Sequence, residues 1–296
     1  MATLRELKGR IYSVASSGKI TGAMKMISSA KMHKAESALR RLVPYRSQIE
    51  TVIANLLGSD AAFSSPLVEV RPEIRRVAIV VLGSDDGLCG AYNVNIAKRL
   101  ISRISELRQT YGFGLDIDIY PVGKKMVKIV SRFKDNRLNV ISTGEINSKS
   151  DGSAVKDFIK ALETEFLQSR VDQVDCLYMH YQSAGRQNIS LEQLLPVDSS
   201  TFSAEGVPAS SGRPYIFEPD PETIFRSVLP LFLLSVMQEI FVQNMAYDQA
   251  ARVMAMQSAN DNAKKLLEQL QLEFNKLRQQ SITTELLDIV GGQVRD

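Results

Sequence analysis

A glycine-rich loop, 83–90, has the residue types and position of a phosphate site. It follows the apolar run 77–82 and precedes a predicted helix, where Rossmann-type folds hold a pyrophosphate. The loop has neither the G-x-G-x-x-G nor the G-K-[ST] pattern. Asp85 and Asp86 also put two negative charges where a phosphate would sit. We therefore interpret the loop as a tight strand-to-helix turn that needs glycine, with nucleotide binding as the alternative.

The few reactive side chains predict no catalytic set. Cys89 has no histidine near it in the sequence that could activate its thiol. Cys89 and Cys176 lack C-x-x-C spacing, which predicts free thiols in a reducing compartment. Two histidines, His33 and His180, are too few to indicate a metal site. We expect no catalytic residue, no cofactor and no metal.

Hydropathy and the amino terminus predict no membrane span and no targeting segment. The longest charge-free apolar run, 227–238, is shorter than the ~20 residues that cross a bilayer. The amino terminus has neither an apolar signal core nor a serine- and arginine-rich leader. We expect the chain to stay in the compartment that made it.

The middle of the chain, 75–218, alternates strand and helix patterns. The run 77–82 is β-branched, and 115–120 alternates so that Asp116 and Asp118 would share a solvent face. Further strands are expected at 138–142 and 174–181, with edge strands at 189–197 and 214–217. The alternation predicts a Rossmann-like α/β domain with a mostly parallel sheet.

The carboxyl-terminal segment, 220–292, predicts one very long helix. Asp220 can cap it, Pro221 suits the first helical position, and Gly291 with Gly292 should end it. Pro230 predicts a kink or a break. Alternating spacings of four and three residues draw a narrow apolar seam, which is a coiled-coil pattern. The seam consists of Ala263, Leu267, Leu270, Phe274 and Leu277.

The amino-terminal segment, 1–58, predicts a second long helix. Thr3 and Glu6 form a capping box. The same alternation places on one seam Leu4, Leu7, Ile11 and Val14, followed by Ile20, Met24 and Ile27. Pairing the two terminal helices as an antiparallel coiled coil would bury both seams, so the fold class is α/β with a long terminal coiled coil.

Charge is unevenly placed along the chain. Residues 1–57 carry ten Lys and Arg against three Asp and Glu, whereas 221–296 carry seven against nine. The basic segment indicates either a solvated helix face or a surface for an acidic partner.

Five separated motifs carry a resemblance. They are K-I-T-G-A-M-K-M at 19–26, S-D-D-G-L-C-G-A-Y-N at 84–93, E-P-D-P at 218–221, Q-A-A-R at 249–252 and N-K-L-R-Q-Q-S-I-T-T-E-L at 275–286. In this order, over nearly the whole chain, they resemble the gamma subunits of bacterial F-type ATP synthases. In that family the terminal helices are wound together and an α/β domain lies at their foot.

The resemblance implies a non-catalytic rotor subunit. Its partners would be the α and β subunits of an α3β3 ring, the epsilon subunit and the c-ring, without nucleic acid and with only indirect membrane contact. The chain would be peripheral, at the cytoplasmic face of the bacterial inner membrane. The family's motifs place Met24, Lys25, Arg252 and Gln279 at the β ring and Tyr215 near the foot. Gly18 and Gly22 depart from a stretch that is usually glycine-free.

Other classes of protein stay open at this point. One is a Rossmann-type nucleotide enzyme with helical extensions, which the loop acids disfavour. Another is a static coiled-coil scaffold. A basic helical nucleic-acid binder is disfavoured because residues 1–40 contain one aromatic residue, Tyr12.

Overall fold

The computed structural model describes residues 3–57, 65–144, 146–183, 186–198, 202 and 217–293. The elements, in chain order, are α1 (Leu4–Leu57), β1 (Arg76–Leu82), α2 (Tyr92–Tyr111), β2 (Asp116–Val122), α3 (Lys124–Val130), β3 (Leu138–Val140), α4 (Gly152–Leu167), β4 (Gln173–Ser183), β5 (Arg186–Leu195) and α5 (Pro221–Gln293). The chain forms two compact units. One contains Met1–Ala30 and Arg252–Asp296, and the other contains Lys31–Ala251.

The unit Lys31–Ala251 is built on a five-stranded sheet in the order β3-β2-β1-β4-β5. β1 is parallel to both β2 and β4, and β3 is parallel to β2. β5 is antiparallel to β4, so it is the edge strand expected near 189–197. The predicted, mostly parallel α/β fold is confirmed. The other expected edge strand, at 214–217, falls largely outside the described residues.

The sheet is covered on both faces, which explains why β1 reads as an unbroken apolar run. One face packs against α4, the later turns of α1 and the first turns of α5. The opposite face packs against α2 and α3. Every residue of β1 from Val77 to Leu82 is fully buried. The segment before β1 also joins this core, because Leu67 is buried and its carbonyl accepts a hydrogen bond from the Val197 N–H at 2.8 Å.

The expected solvent face of β2 is wrong at Asp118. Its side chain is buried, accepts a hydrogen bond from Asn139 Nδ2 at 2.9 Å and lies 3.7 Å from an Arg76 guanidinium nitrogen. Alternation identified the two sides of the strand correctly. It could not show that β3 and Arg76 supply the partners that make a buried carboxylate tolerable.

The starts of both long helices follow their sequence signals. Asp220 Oδ1 accepts a hydrogen bond from the Thr223 N–H at 2.9 Å. Thr3 and Glu6 exchange side-chain and backbone hydrogen bonds of 2.9 and 3.2 Å. These contacts confirm the predicted N-cap and capping box.

The predicted end of α5 at Gly291 and Gly292 is wrong, and so is a break at Pro230, whereas a kink at Pro230 stays a prediction. The helix continues past Gly291 and Gly292 to Gln293, and it runs without a break through Pro230. Glycine costs about 1 kcal/mol in a helix interior, which disfavours helix without forbidding it. Proline removes one backbone hydrogen bond, and burial of neighbouring side chains such as Leu229 and Leu233 offsets that loss.

The helix pair in the unit of Met1–Ala30 and Arg252–Asp296 is antiparallel. A Cβ added at Gly18 would lie 3.6 Å from Ala263 Cβ, and one added at Gly22 would lie 3.9 Å from Asn260 Oδ1. A forward step along α1 therefore corresponds to a backward step along α5. Leu7 and Leu270 are buried in the same unit. The predicted coiled coil is confirmed.

The seam residues expected beyond Val14 are wrong in part. Ile20 and Ile27 are 60% and 56% exposed. The alternation of four and three instead continues without a shift through Gly18, Thr21, Lys25 and Ser28, of which Ser28 is buried. A search for apolar residues missed this register because the seam here is made of small and polar side chains.

One window of α5, within Pro221–Val290, has the length and apolar composition of a membrane-spanning helix. More than half of that window, 56%, is buried inside the protein. Its apolar residues include Leu229, Leu233 and Ile240, which belong to the core beside the sheet.

We expect Gly18→Ala to raise the free energy of unfolding by about 0.5–1 kcal/mol, because the new methyl group reaches only ordinary contact distance and alanine favours helix. Gly9→Ala is the matched control, since nothing lies within 4 Å of its added Cβ. Gly123→Ala should destabilise, because φ is +96° and the Cβ would lie 2.9 Å from Ser84 O. Chemical denaturation of the full chain measures all three. A lower free energy of unfolding in Gly18→Ala together with a higher one in Gly9→Ala would show that the helix pair needs glycine at position 18.

Candidate functional site

The loop after β1 uses its own backbone groups. The Gly83 N–H donates to Val122 O at 2.9 Å, and the Ser84 N–H donates to Asn93 Oδ1 at 3.0 Å. Ser84 O accepts from the Lys125 N–H at 3.0 Å. A phosphate loop needs such N–H groups free to face its ligand. Here two of them are already bonded within the chain.

Asp85 lies at the amino end of α3, the short helix after β2. Its Oδ1 accepts from the Lys124 N–H at 3.0 Å, and its Oδ2 accepts from the Ser148 N–H and hydroxyl at 3.1 and 2.6 Å. Asp86 pairs with the Lys149 ammonium at 2.7 Å. Both acids of the loop are thus held by other groups of the chain, and the geometry favours a structural turn.

The thiols are buried. Cys89 is 3% exposed, and its sulfur lies 3.3 Å from Asn93 Nδ2. Burial, followed by the charges of Glu192 and Asp175, raises the pKa of Cys176 well above its usual value. A thiol with a raised pKa is a poor nucleophile. Within the described ranges, no group of three or more His, Cys, Asp or Glu side chains could hold a metal ion.

A buried hydrogen-bonded group, which we call the Asn244 junction, joins this loop to α5. It consists of Gly83, Tyr92, Asn244 and Tyr247. Asn244 Nδ2 donates to Gly83 O at 3.1 Å, and the Tyr92 hydroxyl donates to Asn244 Oδ1. The rings of Tyr92 and Tyr247 stack with their centroids 5.9 Å apart. Burial and then the Asp248 charge raise the pKa of Tyr92 well above its usual value, so its hydroxyl remains a donor.

A second polar group is centred on Arg46 of α1. Its guanidinium bonds to Glu50 at 2.8 Å, to Glu192 of β5 at 2.9 Å and to Glu239 of α5 at 3.3 Å. It also lies 5.8 Å from the centre of the Phe232 ring. Burial opposes its charge, yet the three carboxylates raise the pKa of Arg46. One cation thus ties together α1, β5 and α5.

Sequence reasoning missed both polar groups. The contacts that join each group across the fold, Arg46 to Glu239 and Asn244 to Gly83, connect residues more than a hundred positions apart, and no spacing pattern links them. The available signal is a polar residue inside an apolar helical stretch. Glu239 and Asn244 both interrupt such a stretch of α5, and both are buried.

The residues predicted to contact partners lie at different places along the helices. Met24 and Lys25 are half-buried on α1, Arg252 is 5% exposed, and Gln279 is exposed. Gln279 lies roughly 40 Å beyond Arg252 along α5, at ~1.5 Å per residue, so these two cannot form one site. Tyr215 lies outside the described residues.

Several exposed apolar residues were not predicted as site residues. On α1, Tyr12 and Met26 are 77% and 68% exposed, beside Ile20 and Ile27. Near the end of α5, the exposed large side chains are Ile282, Leu286, Leu287, Ile289 and Val290. Contiguous exposed apolar residues are typical of partner-binding surfaces.

These features define a protein that combines a long antiparallel helix pair with one α/β domain. The glycine loop of that domain is held by hydrogen bonds and ion pairs within the chain. The family model described as ATP synthase matches residues 3–294.

Relatives of known name match along their whole length. The ATP synthase gamma chain of Bacteroides fragilis is 38% identical over 298 residues, which covers 99% of this chain and 100% of that relative. The ATP synthase gamma chain of Chromobacterium violaceum is 36% identical over 295 residues, covering 99% of each. A chain in the solved Euglena gracilis mitochondrial ATP synthase shares the fold, with a TM-score of 0.64 at 19% identity over 98% of this chain and 93% of that one. This chain belongs to the ATP synthase gamma chain family.

We expect the isolated chain to give no saturable heat of ATP binding in calorimetry, because Asp85 and Asp86 oppose a phosphate and the Gly83 and Ser84 N–H groups are already bonded. Asp85→Ala is the informative variant. It should lower the stability of the chain, since the Lys124 and Ser148 donors lose their partner. Saturable ATP binding by the unaltered chain would contradict the structural interpretation of the loop.

Proposed function

We propose that this chain is the central-stalk rotor subunit of an F-type ATP synthase. In this proposal, proton flow through a membrane c-ring turns the chain inside an α3β3 ring and so drives ATP synthesis, or runs in reverse during hydrolysis. The chain itself is non-catalytic, and nucleotides are bound and converted by the surrounding ring.

One observation carries the proposal. A chain matched end to end by gamma chains uses its two ends as helices of 54 and 73 residues that pair antiparallel. In this proposal, segments 1–58 and 220–292 form the shaft, and segment 75–218 forms the foot. A paired shaft is stiffer than one helix, because most helical stability in proteins comes from packing one face of the helix against a partner.

The proposed contact with the β subunits lies on α1. This helix carries the basic surplus, and Lys8, Lys19 and Lys31 are all exposed. Met26 and Ile27 add exposed apolar area beside Met24 and Lys25. A surface of this kind suits a partner that is acidic with an apolar centre. Met24, Lys25, Arg252 and Gln279 remain our proposed contact residues, with Arg252 offering little accessible surface in the free chain.

The end of α5 offers a different kind of surface. Ile282, Leu286 and Ile289 recur at helical spacing and are all about half exposed or more. We assign this apolar face to the α3β3 ring as well, as the seat of the shaft's tip. Tyr215 is our proposed contact at the foot, toward the epsilon subunit and the c-ring. The complex would then lie peripherally at the cytoplasmic face of the bacterial inner membrane.

A disulfide inside the shaft tests rotation directly. Gly18→Cys with Ala263→Cys places the Cβ atoms about 3.6 Å apart, within the ~3.5–4.5 Å range of disulfides. Because both residues would turn together, the oxidised complex should keep its full ATPase and proton-pumping rates. The two natural cysteines are buried and should not compete.

The matched variant joins the shaft to its surroundings. Met24→Cys paired with a cysteine in the acidic loop of β should stop turnover when oxidised, and reductant should restore it. Full activity with that bond intact would rule out rotation of this chain through the contact. A static scaffold would tolerate both bonds.

The charge of Lys25 provides a second test. Lys25→Glu should lower the ATP-driven pumping rate while leaving assembly intact, because two like charges at a partly desolvated interface can cost several kcal/mol. Lys25→Arg keeps the charge and should pump like the unaltered complex. Equal pumping by both variants would remove Lys25 from the β contact.

A further inference from the structure

In the Asn244 junction, the side-chain amide of Asn244 has a partner both as a hydrogen-bond donor and as an acceptor. Asn244 is completely buried and Tyr92 is 1% exposed. The amide of Asn244 donates to Gly83 O and accepts from the Tyr92 hydroxyl. Its orientation is fixed, because a backbone carbonyl can only accept and Tyr92 then supplies the donor. The junction therefore specifies one rotational setting of α5 against the end of β1.

The apolar packing of α5 is of a different kind. Phe225, Leu229, Leu233 and Val236 pack against the sheet and α4 in one continuous core. Apolar burial is non-directional and depends on the area removed from water. It strongly opposes separation of α5 from the sheet, but it distinguishes poorly between neighbouring rotational positions of α5. A shift of one residue would turn the Asn244 side chain by about 100°, away from both partners.

The acceptor at Gly83 is itself held firmly. The Gly83 N–H is bonded to Val122 of β2, and a Cβ at Gly83 would lie 2.7 Å from Met126 Cβ of α3. The next residue, Ser84, bonds through its N–H to Asn93 of α2. A force on Asn244 would thus reach β1, β2, α2 and α3 together.

We propose that Asn244 is a positioning residue that fixes the rotational register of α5 on the sheet, so that torque passes from the α/β domain to α5 without slip. The proposal rests on the proposed rotor function. A nucleotide-binding loop would hold its ligand at the carboxyl end of β1. In this proposal, α5 is attached to the sheet at that same end.

The test uses the complete membrane complex in proteoliposomes and measures ATPase with and without a protonophore. In a tightly coupled rotor, the gradient restrains ATPase and the protonophore releases it. Tyr92→Phe removes one hydroxyl and leaves Asn244 Oδ1 unpaired, whereas Asn244→Asp replaces the donor to Gly83 O. We expect both to lower the stimulation ratio about twofold or more, with the protonophore-released rate unchanged.

Tyr247→Phe is the matched control. It makes the same chemical change on a buried ring of the same group, but its hydroxyl has no role in the two hydrogen bonds of Asn244. It should keep the unaltered ratio. A normal ratio in Tyr92→Phe and Asn244→Asp would overturn the positioning role and leave the rotor function standing. If the protonophore-released ATPase rate of the two variants fell as much as the stimulation ratio, the positioning role would also be overturned, since that result indicates a general folding defect. A lack of stimulation in the unaltered complex would refute the rotor function itself.

Hydrogen exchange on the full chain covers the case of failed assembly. In Tyr92→Phe, amides of α5 near 240–248 should exchange about tenfold faster while those of α4 stay unchanged. Uniformly faster exchange throughout the α/β domain would overturn the proposal.

Discussion

The structure depends on one constraint, which is that two very long helices must hold each other along a narrow seam. In proteins, most of the stability of a helix comes from packing one of its faces against a partner. Residues of the seam are spaced alternately four and three apart. At Gly18 the two helices approach so closely that an added methyl group would contact Ala263. Small and polar residues such as Thr21 and Ser28 continue the register where apolar ones stop. Ile20 and Met26, the larger side chains, thereby become available to partners.

Much of the fold could be predicted from the sequence, because the residues that determine it lie close together in the chain. The capping residues Thr3 and Asp220 act within one helical turn, and both make the expected hydrogen bonds. The unbroken apolar run of β1 implied a strand buried on both faces, as observed. Local signals failed where a neighbour decided the outcome. Asp118 is buried because Asn139 and Arg76 satisfy it, and the glycine signal at Gly291 does not end α5, which continues to Gln293.

The sites were less predictable than the fold, for a physical reason. Arg46 gathers carboxylates from three elements, and Asn244 reaches a carbonyl more than a hundred residues away. Apart from the i,i+4 pair of Arg46 and Glu50, these contacts exist only after the chain has folded, so no spacing in the sequence encodes them. The motifs that carried the family resemblance pointed to surface positions such as Met24 and Gln279. They gave no hint that Arg252 is nearly buried or that the tip of α5 exposes a row of large apolar residues.

The carboxylate of Asp85 has a wider consequence for a protein whose relatives belong to ATP synthases. Its oxygens take three donors that a free anion would otherwise seek. A tethered group is present at a very high effective concentration and never diffuses away. The donors of Lys124 and Ser148 are therefore satisfied from within the chain. The turn after β1 thus keeps its shape through hydrogen bonds and ion pairs of its own side chains.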